Sequence, residues 1–272
     1  MARLGLRGSR TSLAFMTPIH SNEAPWLSGL RGARANLVPG IVLQLVALAL
    51  VIGYYFQPSI HAALSLLAQE RERAGVMLGI LSTGLCGGIL PFLYLHFSPR
   101  GPGGAPRYNW AQGAALTAFW AYKGLEVDIW YRIQAHMVGT GHDGVTIAVK
   151  VLFDQFGYCP AFAVPVTAAV YQWVDSRFDG RGLLEDIRAG RWYLRKVLPV
   201  LLSNMGVWIP AVAIIYALPT PLQLPLQNVI LCFYTLVVAH QTRTGGVMES
   251  SRPTKKSRPG PQTASTGAAI PE

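Results

Sequence analysis

Only 13% of the 272 residues are charged and 51% are hydrophobic, whereas an ordinary soluble domain carries about 25% charged residues. That shortfall, with long apolar runs, argues against a soluble fold and for an all-α polytopic membrane helix bundle. The net charge of +10 points away from nucleic acid, because the cations lie in the tails and between the apolar runs, as the positive-inside rule expects.

Residues 1–38 read as a polar, basic N-terminal tail, with Arg3, Arg7, Arg10, Arg31 and Arg34 against Glu23 alone. Such a stretch suits either an organelle transit peptide or a disordered cytoplasmic tail. Residues 39–240 then read as a helical membrane domain and 241–272, rich in Ser, Thr, Pro, Gly and Lys, as a disordered tail.

Six apolar segments fall at 41–56, 75–97, 110–137, 145–174, 197–218 and 224–240. A membrane span needs roughly 20 such residues. Six spans put eighteen Lys/Arg on the side of the N-terminus and only Arg71 and Arg73 opposite. Dropping the first and third segments keeps that parity, so charge alone allows four to six spans, with both termini on the positively charged side.

The second segment carries Gly75, Gly79, Gly84 and Gly88 in two GxxxG spacings. Small residues one turn apart let helix backbones approach, so they predict a packing face.

The third segment is the most polar. Trp110 and Trp130 are twenty residues apart, about 30 Å of helix, which suits indoles at both membrane interfaces. Between and beyond them lie Lys123, Glu126, Asp128 and Arg132. Lys123 with Glu126 and Asp128 with Arg132 have helical pairing spacings, and the two pairs lie on opposite faces. A helix polar on two sides belongs inside a bundle or along an aqueous path.

"GTGHDG" at 139–144 sets His142 beside Asp143. It is either a solvated turn or a weak acid–base pair. The fourth segment opens on "VKVLFDQFGYCP". Lys150 and Asp154 are one turn apart and predict an ion pair, with Lys150 reaching the headgroups. Charges at this depth are functional candidates, structural staples otherwise. Pro160 and Pro165 lack amide donors and predict a broken or bent helix. Asn204 and Trp208 sit mid-way in the fifth segment, and "LPTPLQLPLQN", with Gln223 and Gln227, predicts an extended turn into the last helix. Cys86, Cys159 and Cys232 lie far apart, each in an apolar run, and indicate neither disulfide nor metal.

"KVLFDQFGYCP", "SNMGVWIP" and "YALPTPLQLPLQN" before a final apolar helix resemble the C-terminal half of the Mpv-seventeen/peroxisomal-membrane-protein family. "RERAGVMLGILSTGLCGGILPFLYLHF" is similar to its earlier Arg-to-Gly-rich helix. The resemblance covers 145–240 and, loosely, 41–97. It departs from the family where "WIPAVAIIYALP" is apolar, where Gln223 stands in place of an arginine, and in the segment at 108–137. The resemblance implies an integral protein of the mitochondrial inner, peroxisomal or a related membrane, the bacterial inner membrane included. Family members are associated with pore-like movement of small solutes and are not known as enzymes.

The sequence therefore leads to a channel-like bundle whose polar path or helix staples are Glu126, Asp128, Arg132, Lys150, Asp154, Gln155, Asn204, Trp208, Gln223 and Gln227. A membrane scaffold or assembly protein is the alternative, and a membrane enzyme the third reading. The expected partners are the lipid bilayer, an unidentified small solute and further copies of the chain, without cofactor or metal.

Overall fold

In the computed structural model, residues 24–97 and 107–250 are described. They contain nine helices and no strand: α1 Pro25–Ala35, α2 Leu37–Phe56, α3 Pro58–Ala74, α4 Val76–Phe97, α5 Trp110–Val138, α6 Gly144–Asp175, α7 Arg181–Arg188, α8 Tyr193–Tyr216 and α9 Thr220–Ser250. Of these, α2, α4, α6, α8 and α9 are long and apolar enough to cross a membrane. Leu37, Val38, Ile41, Val42, Leu45 and Val46 of α2 and Met77, Leu81 and Leu85 of α4 all face outward. In water this would be an untenable apolar surface; against lipid it is an ordinary one. The chain is a multi-pass membrane protein.

Helix α5 is as long as its neighbours but too charged to count by composition. It crosses the bundle nonetheless, because it runs antiparallel beside α4. Gly79 faces Gly124, Gly84 faces Ala121, Gly88 faces Thr117, and Phe92 covers Gly113. A Cβ on Gly124 would lie 2.3 Å from the Gly79 carbonyl oxygen, so the two backbones touch. Gly87, seated on the Trp120 ring, completes the stripe. Gly75 does not belong to it. It has nothing within 4 Å and a φ of +59°, and it is the joint between α3 and α4, where a residue without Cβ meets no penalty.

Three further expectations change. Residues 25–35, assigned above to the tail, form a helix that packs along α8: a Cβ on Gly29 would strike Pro199 and Leu202, and one on Gly32 would strike Ser203. The small-residue face of "PWLSGLRGARA" makes this docking. The stretch "LPTPLQLPLQN" is helical from Thr220, because Pro221 in the first turn gives up an amide that has no helical partner, and Pro225 is accommodated inside the helix. Residues 241–250 continue that last helix instead of starting the tail. Residues 1–23 and 251–272, Arg100 and most of the tail cations lie outside the described residues.

Helix α6 is not broken by its prolines. Between Phe153 and Ala163 it opens into a π-helical stretch that contains Pro160, and Pro165 falls in the first turn of the α-helical part that follows. Wide turns of this kind absorb a missing donor and recur at functional sites. Carbonyls at this bend find side-chain donors: Tyr193 donates to Pro160 at 2.8 Å and Thr167 to Ala163 at 2.7 Å.

Candidate functional site

Helices α4, α5, α6, α8 and α9 line a partly open cavity of about 140 Å³. Its apolar wall includes Val127, Val164, Leu201, Met205, Val212 and Leu231, and its polar wall includes Lys123, Asp154, Gln155, Tyr158, Asn204 and Gln227. Asp154, Gln155, Asn204, Trp208 and Gln227 were all singled out in the sequence. They come from three helices, α6, α8 and α9, and meet at this one place.

Helix α5 supplies the fourth polar side. Lys123 pairs with Glu126, as their spacing predicts, and Glu126 also accepts from the Tyr158 hydroxyl of α6. Tyr158 stacks on Trp130 with ring centroids 4.5 Å apart. The Lys123 ammonium lies over the Tyr158 ring at 5.6 Å. Trp130 is therefore a wall of the cavity and not an anchor at the membrane interface; Trp110, 61% exposed, does face outward. The packing of α6 against α5 turns the Trp130 indole inward, where its N–H donates to Asp154 at 2.9 Å.

The expected pair between Lys150 and Asp154 does not form. Asp154 receives Trp130 and, at 3.0 Å, the Gln155 amide. Lys150 does not reach headgroups either: it is 1% exposed, and its ammonium lies over the Tyr216 ring at 5.7 Å. Phe153 opens the π-helical stretch, so Asp154 follows a change of twist and faces α5, whereas Lys150 still belongs to the α-helical turn that faces α8. Gln134 lies between these elements. With its oxygen toward the Tyr216 hydroxyl and toward the Trp130 indole, whose one N–H it shares with Asp154, both at 2.7 Å, its amide donates to the Lys150 carbonyl at 3.2 Å.

Asp128 and Arg132 lie outside the cavity. They pair at 3.2 Å, as their spacing predicts, but the dominant partner of Asp128 is Arg71 of α3. Arg71 is 3% exposed and also donates to the Gly75 carbonyl, so it locks the α3–α4 joint onto α5. Gln223 is likewise structural: its amide donates to the Leu218 carbonyl at 2.9 Å and closes the turn between α8 and α9. Asn228 escaped the sequence reading. It accepts from Thr83 at 2.9 Å and donates to Ser82 at 2.8 Å, clasping α9 to α4. Its only signal was an amide beside Gln227 at the head of an apolar run.

Asp143 caps α6. Its carboxylate accepts the Val145 and Thr146 amides and the Thr146 hydroxyl. Those bonds, the hydroxyl foremost, hold its pKa below the ordinary aspartate value. His142 faces the Tyr216 carbonyl at 3.4 Å. The His-Asp dipeptide is thus divided between two structural duties. Among the described residues no group of three or more His, Cys, Asp or Glu is placed to hold a metal ion.

No family model, curated protein or solved structure matches this chain.

Proposed function

We propose that this protein is a membrane helix bundle that binds a small polar solute in its central cavity and provides part of a permeation path. One observation carries the reading: polar side chains from four helices converge on a single internal cavity, although charged and amide groups at such depth are costly. The resemblance to the Mpv-seventeen family supports the same reading, and so does the π-helical opening of α6 along the cavity. With α5 as a sixth traverse, both termini lie on the positively charged side, cytoplasmic in a bacterial inner membrane and matrix or cytosolic in an organelle.

The test is reconstitution of the purified chain in liposomes loaded with solutes of graded size and charge. Flux above empty liposomes that falls several-fold with Asp154→Ala supports the proposal. Absence of flux for every solute tested would sink it.

One observation favours the scaffold reading. Much of the polar wall is already partnered: Lys123 with Glu126, Tyr131 with Gln227, and Asn204 with Tyr234 at 2.7 Å. Those bonds serve equally as staples between helices. Cys159 lines the cavity and is a free thiol. Its labelling by a water-soluble maleimide in membranes indicates a path, and complete protection indicates a scaffold.

A further inference from the structure

We infer that the cavity is built for a small organic cation, its ammonium group against Asp154 and its hydrocarbon part against the apolar wall. This rests on the reading of the cavity as a solute site and names the class of solute.

Charge is the first support. Lys123 and Glu126 neutralise each other. Asp154, 5% exposed, is held by two neutral donors, an indole and an amide, and by no cation. Lys150 is no substitute, because it lies over Tyr216, is not in the wall and makes no ion pair with Asp154. Lys123, the cation that acts on Asp154 from the same wall, is already bonded to Glu126, and a buried carboxylate with no ion pair of its own is an arrangement that a bound cation relieves and a bound anion aggravates. Just behind the wall, Glu126 Oε2 is buried and has no hydrogen-bond donor, a second acceptor left open beside Lys123 and Tyr158.

The walls are the second support. Seven aromatic rings line the cavity, Trp130, Tyr131, Tyr158 and Trp208 among them. Ring faces attract cations, and the effect grows where water is excluded. The wall already holds one ammonium in this way, Lys123 over Tyr158.

Size is the third. A dry cavity of about 150 Å³ holds benzene, so about 140 Å³ suits an amine of roughly five to eight heavy atoms. With most of the wall apolar, such a ligand needs a hydrocarbon body as well as a charged head.

The experiment uses the full chain in zwitterionic nanodiscs, titrated calorimetrically with n-butylammonium, 1-butanol and butyrate, with empty nanodiscs subtracted. These probes each contain four carbons and differ in the charge of the head. The expected result is butylammonium binding at least about tenfold tighter than butanol, with butyrate weakest. Asp154→Asn should erase that preference, and Ala163→Leu, which fills the cavity, should weaken butylammonium and butanol alike. Equal binding of amine and alcohol, stronger binding of butyrate, or a preference that survives Asp154→Asn overturns the inference. If Asp154→Asn does not assemble, the probe series on the unaltered chain decides alone. Flux without cation preference refutes this inference and leaves the permeation reading standing; cation binding without flux does the reverse.

Discussion

Helix α5 has two sides that solve the same problem in opposite ways. Toward α4 it presents Gly113, Thr117, Ala121 and Gly124, and the seam closes to backbone contact. Toward α6, α8 and α9 it presents Trp120, Lys123, Val127, Trp130 and Tyr131, and the space stays open as a cavity. Lipid gives helices no hydrophobic reason to associate, so a membrane bundle coheres through close packing and hydrogen bonds. The seam uses the first and the cavity wall uses the second. The contrast teaches that one helix can carry a closely packed face and a cavity face side by side.

The largest effect expected from breaking this contrast lies at the end of the seam. Asp128→Ala strands Arg71, which is buried with its Nε already lacking an acceptor. Loss of about 3–5 kcal/mol is expected, as for one partner removed from a buried pair. Thermal unfolding in detergent reads it as a large fall in Tm, and an unchanged Tm would show that the clasp does not hold the seam.

Next comes the seam itself. Gly124→Ala drives a methyl into the Gly79 backbone, which cannot move like a side chain. About 1–3 kcal/mol should be lost. Gly157→Ala, on the cavity helix with nothing within 4 Å of its added Cβ, should be neutral or stabilising by up to about 1 kcal/mol. Equal losses at the two glycines would erase the distinction between the halves.

The cavity should respond differently. Asp154→Asn keeps the side-chain shape but leaves one acceptor for the two donors that Asp154 now holds, so stability should fall by about 1–2 kcal/mol while solute flux and the preference for amines fall. A Tm that drops as far as for Asp128→Ala would make Asp154 a staple.

The smallest effect belongs to Asp143, on the exposed loop before α6. Its folded-state pKa is depressed by its capping bonds. The stability it contributes is therefore fully present above the unfolded value of about 3.9 and is lost as pH falls through the folded value. Asp143→Asn should be slightly less stable than the unaltered chain at neutral pH. That difference should vanish in strong acid, and a melting series across pH checks it.

Several parts of this arrangement are legible in the residues. The apolar runs announce a helical membrane bundle of four to six spans, because a continuous apolar run satisfies its own backbone in lipid only as a helix, and five helices of the structure are long and apolar enough to cross. Gly79, Gly84 and Gly88 announce a packing face, and Lys123–Glu126 and Asp128–Arg132 announce their own pairing, since partners one turn apart on one helix share a face whatever surrounds them. The same rule misleads at Lys150 and Asp154, where a π-helical stretch intervenes. It is silent on Arg71, 57 residues from Asp128.

By itself, then, the sequence determines an all-helical membrane chain, the close-packing stripe of α4 and the polar character of α5. Those properties are written in composition and in the periodicity of single helices. Only the tertiary structure decides that α5 packs backbone to backbone on α4, that Trp130 turns inward, that Arg71 serves Asp128, and that Asp154, Gln155, Asn204, Trp208 and Gln227 share one cavity. Periodicity fixes which residues lie together on one helix. Which faces then meet is set by shape and by hydrogen bonds between helices, and those belong to no single segment.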